Sequence, residues 1–93
     1  NMVNRTVARF EETGRQLRSI REDLRMTLDA VSKETGISRS YISDFERGFR
    51  LPTSKYLRYL HDSHQVNLNY VFGSEERKFR MTKDKPPYFT NIL

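Results

Sequence analysis

An all-α fold of five helices is predicted by three features of the 93-residue sequence. Apolar residues recur at spacings of three, four and seven, which is the mark of one face of a helix. Residues suited to helix capping stand just ahead of these stretches, and glycines stand just after them. No stretch alternates apolar and polar residues with the two-residue period of a strand.

Val3, Val7, Phe10, Leu17, Ile20 and Leu24 form the first stripe. It places a first helix from about Phe10 or Gly14 to Leu24. Thr27 is a cap for a second helix, Leu28–Thr35, because its hydroxyl can accept from the orphan N–H groups of the first turn. Gly36 supplies the positive φ that stops this helix and turns the chain. Ile37 anchors the turn, Ser38 caps a third helix over Arg39–Arg47, and Gly48 ends it. Pro52 disfavours helical geometry at Leu51, so a loop follows. Thr53 or Ser54 can cap a fourth helix to about His64, with Tyr56, Leu57, Leu60 and His64 facing inward. Asn67 caps a last short helix from Leu68 to Phe72, closed by Gly73.

On a wheel of the third helix, Ile42 and Phe45 point one way. Ser40, Ser43, Asp44 and Arg47 point the other way, with Arg39 beside them. A hydrogen-bonding face on a helix that follows a tight turn suits the DNA major groove, whose base edges are donors and acceptors. On periodicity alone, an ordinary amphipathic helix with a solvated outer face accounts for the pattern equally well.

Thr27, Val31, Gly36-Ile37-Ser38, Ile42-Ser43 and Glu46-Arg47-Gly48 resemble the helix-turn-helix of the Cro and phage-repressor family of transcription regulators. The likeness runs ungapped from about Gly14 to Gly73. It implies a compact, lambda-repressor-like DNA-binding domain over residues 14–73, preceded by a lead-in at 1–13. A charged linker and apolar tail follow at 74–93. It also implies that helix 39–47 lies in the major groove of double-stranded DNA while the helix before it crosses the backbone. Arg39, Ser40, Ser43 and Asp44 are then the base contacts. Thr27, Ser38, Tyr41, Arg47 and Arg50 are the phosphate contacts. Arg21 matches an arginine that pairs with the glutamate corresponding to Glu46. The alternative for Arg21 is a plain surface position. Leu28 departs from the glutamine that holds a phosphate in many members, and Ser32 from a small alanine at the helix crossing.

Net charge is +5, a balance that favours nucleic-acid partners. The excess is concentrated: residues 36–58 hold five basic side chains against Asp44 and Glu46. Cysteine is absent, so disulfides and thiolate metal sites are excluded, in keeping with a reducing cytoplasm. No apolar run approaches the roughly 20 residues of a membrane span. His61 and His64 lie three apart but no third ligand accompanies them, so no metal is expected. No cysteine nucleophile, glycine-rich phosphate loop or pair of acids in an apolar pocket points to an enzyme, and no cofactor is implied.

The expected function is therefore a sequence-specific regulator, a repressor by resemblance, binding as a homodimer. Phe49, Tyr70, Phe72 and the tail are the candidate dimer residues. Tyr88-Phe89-Thr90-Asn91-Ile92-Leu93 follows Pro86-Pro87, and four large apolar groups there are costly to leave in water. Docking of 86–93 on this domain or on another protein is one reading, and an unstructured tail is the other. The docking reading admits an antitoxin whose tail binds a protein partner. A module that has lost DNA binding is a further class, which the concentrated basic residues disfavour.

Overall fold

The computed structural model describes residues 7–80. Five helices follow in order: α1 (Glu11–Asp23), α2 (Leu28–Thr35), α3 (Arg39–Glu46), α4 (Ser54–His64) and α5 (Leu68–Val71). They form the compact all-α fold expected, with α1, α3 and α5 each ending one residue earlier than expected. The capping chemistry is the reason for this agreement. Thr27 Oγ1 accepts from Ala30 N at 3.0 Å, and Ser38 Oγ accepts from Tyr41 N at 3.2 Å. Thr53 and Asn67 cap α4 and α5 in the same way. Gly36 turns the chain out of α2 at φ 74°, where an L side chain would be strained.

Leu17 and Ile20 of α1, Val31 of α2, Ile42 and Phe45 of α3, and Tyr56 and Leu60 of α4 make one buried cluster with Val66, Tyr70 and Val71. The third helix sits inside this cluster and packs on both α1 and α2. Its contact with α1 depends on Gly14. A Cβ there would collide with the Glu46 carbonyl oxygen and would lie 2.8 Å from that of Phe45. Gly14 is thus in the interior of α1, at the point where the backbone of α3 approaches, rather than at the helix start.

Contacts of the folded chain extend past the expected bounds of 14 and 73. Ahead of α1, Phe10 N donates to Gly48 O at 2.9 Å. Beyond α5, residues 77–80 fold back as a strap instead of leaving as a linker. Val66 and Phe79 form an antiparallel bridge, Asn67 N donates to Lys78 O at 2.8 Å and Arg80 N to Gln65 O at 2.6 Å. Lys78 Nζ reaches Asp23 of α1 at 2.7 Å. Arg80 Nη2 donates to His61 O at 2.6 Å and to Gln65 Oε1 at 2.8 Å. The apolar tail at 86–93, expected to dock, lies outside the described residues.

Candidate nucleic-acid interface

The α2–turn–α3 unit is held rigid by short local bonds. Ser32 Oγ donates to Ile37 O at 2.7 Å, a tie across the turn that an alanine could not make. Thr35 Oγ1 donates to Val31 O at 2.8 Å and accepts from Ile37 N at 3.1 Å. Ser38 then starts α3 as an extended N-cap. The first turn of α3 is therefore fixed relative to the first turn of α2 before any long-range packing is counted.

Together these two turns present the candidate surface. Leu28, Ser38, Arg39, Ser40 and Ser43 line one shallow concavity between the starts of the two helices. Ser38, Arg39, Ser40 and Arg47 are exposed, Ser43 is half-buried, and Thr27 is exposed at the start of α2. Arg39 Nη1 lies 3.5 Å from Asp29 Oδ1 with both side chains largely in solvent, so this pair is weak and can open. A second groove beside it is lined by Ile37, Ser38, Tyr41, Thr53 and Lys55. Asp29 and Lys55 were not among the site residues expected from the sequence. Asp29 meets Arg39 only because the turn brings the two helix starts together, and Lys55 reaches the site from α4.

Asp44 is the correction. Expected in the outward row with Ser40 and Ser43, it is 1% exposed. A wheel sees only its own helix, and the cover here comes from the chain that follows α3. Phe49 N donates to Asp44 O at 3.0 Å, which brings the loop back. Arg50 Nε then faces Asp44 Oδ2 at 3.4 Å. The Arg50 guanidinium lies over the Tyr41 ring, 4.3 Å from its centroid, while Arg47 lies over Phe49 at 5.0 Å. Asp44 is closed off from base edges, and the loop arginines rest on aromatic faces. Tyr70, a candidate dimer residue, is also buried. Phe72 is 54% exposed.

Behind the surface, Arg21 of α1 clamps the end of α3. Its Nε donates to Glu46 Oε2 at 2.6 Å and its Nη2 to Glu46 Oε1 at 2.9 Å. Nη1 donates to Met26 O at 2.9 Å. The hydrogen bond to Glu46 raises the Arg21 pKa above its already high ordinary value, although burial opposes it. The two histidines face different partners. His61 Nδ1 lies 2.7 Å from Asp62 Oδ1, whereas His64 Nε2 lies 2.9 Å from the Tyr59 hydroxyl.

Compared with known families, residues 12–67 match the model of a helix-turn-helix domain. The match spans more than half of the chain, which therefore belongs to the helix-turn-helix domain family. No curated protein matches it. Among the described residues, no helix is long and apolar enough to cross a membrane.

Proposed function

We propose that this member of the helix-turn-helix family is a sequence-specific regulator of transcription of the Cro and phage-repressor type. It binds double-stranded DNA and represses by occupying its site, without turning over a substrate. The observation that carries this reading is the concavity lined by Leu28, Ser38, Arg39, Ser40 and Ser43. There the N-terminal turns of two helices and an exposed guanidinium meet on one surface. In the docking common to such motifs, the N-terminal part of the second helix reaches base edges. Arg39 is suited to the O6/N7 edge of a guanine once it leaves Asp29, and Ser40 and Ser43 are small enough to let the helix approach. Thr27, Ser38, Arg47 and Arg50 are the side chains assigned to phosphates in this reading, contacts that set register without carrying sequence information.

One domain covers one half-site, so a homodimer reading two half-sites about 34 Å apart is the assembly that fits. Selection from random duplex DNA tests the whole reading. The expected outcome is a short motif with one guanine whose preference is lost in Arg39→Ala, at a cost of about 1–3 kcal/mol for that position. Recovery of no enriched motif, or an Arg39→Ala protein that keeps every preference, would contradict it.

A further inference from the structure

A carboxylate beside a DNA surface is unfavourable unless it serves another group, and Asp44 is buried where α3 meets the following loop. Its Oδ2 lies 3.4 Å from Arg50 Nε. The opposite constraint on Arg50 is the Tyr41 ring, 4.3 Å from Cζ. Tyr41 packs in turn edge-on against Phe45, with ring centroids 5.8 Å apart, and Phe45 is fully buried. The support thus runs from the core through Phe45 and Tyr41 to a guanidinium whose side chain remains 31% exposed. An arginine on a flexible stem loses rotamer freedom when it captures an anion, and one already held in place loses less. The planar fork is suited to a phosphate, and only one of its five N–H donors is directed at Asp44.

We propose that Asp44 is a positioning residue, which holds Arg50 over the Tyr41 ring as a preset contact for a DNA phosphate. The proposal rests on the reading of the α2–α3 surface as a DNA interface, and it makes a prediction of opposite sign to simple electrostatics. Removing a negative charge near DNA should tighten binding if that charge does nothing else. Removing one that organises an arginine should weaken binding.

The test uses the full chain and a short mixed-sequence duplex, because a phosphate contact is indifferent to sequence. Binding is measured at low and moderate salt for the native protein, Asp44→Asn, Arg50→Ala and the double variant, all well below their melting temperatures. Asp44→Asn is expected to weaken binding roughly threefold to tenfold. In the Arg50→Ala background the same change should weaken nothing. A merely structural role would give the same loss in both backgrounds, and that result overturns the proposal. So does tighter or unchanged binding by Asp44→Asn in the native background. If Asp44→Asn fails to fold, Tyr41→Leu removes the platform and leaves the buried carboxylate. Its loss of affinity must then also vanish with Arg50→Ala, and persistence of the loss overturns the proposal. A native protein that binds no duplex at either salt is a different failure, that of the DNA reading itself.

Discussion

Arg21 and Glu46 meet with both side chains mostly out of water, 14% and 5% exposed. A pair so placed is costly to halve, since the remaining charge is left buried without its counter-ion. Arg21→Ala or Glu46→Gln is expected to lose about 3–5 kcal/mol of stability. That is a large share of the roughly 5–15 kcal/mol that holds a native domain together. Arg21→Lys should recover little, because an ammonium cannot make the two parallel bonds. Urea unfolding of the single and double variants checks this, and additive losses would show that the pair is not coupled. The resemblance of the chain to a known family pointed to this pair. Asp44 shows the limit at this scale. Its position on the helical wheel faces outward, yet it is buried, and the chain returns over it from Phe49 to Arg50. No local period encodes a cover supplied by another segment.

Helices were legible because their ends are chemically marked: Thr27, Ser38, Thr53 and Asn67 all accept from the backbone of the turns that they begin. What one helix needs from another was not. Gly14 looks like a weak point of α1, since glycine in a helix interior is about 1 kcal/mol worse than alanine. Yet the α3 carbonyls of Phe45 and Glu46 occupy the space of its missing Cβ. Gly14→Ala is therefore expected to destabilise, by about 1–3 kcal/mol or more, because overpacking outweighs the gain in propensity. A higher melting temperature for Gly14→Ala would refute the close approach. A second contact between elements joins α2 to α4, where Glu34 accepts from the Tyr59 hydroxyl and also faces His64. The bond from Tyr59, then that from His64, holds the Glu34 carboxyl below its ordinary value of 4.5. The folded protein thus takes up this proton less readily than the unfolded chain. The stabilisation is present above pH 4.5 and is lost as pH falls from there through the lower folded value. Melting temperature should fall over that interval, and less steeply in Tyr59→Phe. Parallel acid limbs for the two proteins would sink the assignment.

At the scale of the molecule, the question is where the folded unit stops. The family likeness ends at Gly73, and a charged run follows it. A charged run is compatible with a solvated linker, but its long side chains can equally reach back. Lys78 reaches α1 and Arg80 reaches the end of α4, with backbone bonds to Gln65 and Asn67 between them. The bond between Lys78 and Asp23 raises the lysine pKa, but the pair is exposed enough to contribute no more than about 1 kcal/mol. The hydrogen bonds of Arg80 should add about 0.5–1.5 kcal/mol each. A chain shortened to Gly73 is thus expected to be less stable than one shortened to Arg80 by roughly 2–4 kcal/mol. Thermal unfolding of the two would settle the point, and equal melting temperatures would mean that the strap holds nothing. None of these bonds involves α2 or α3. Below its lower melting temperature, the shorter chain should bind DNA as the longer one does, since the turn, the concavity and the Arg21 clamp are untouched. Loss of binding with the fold intact would instead place residues 74–80 in the interface.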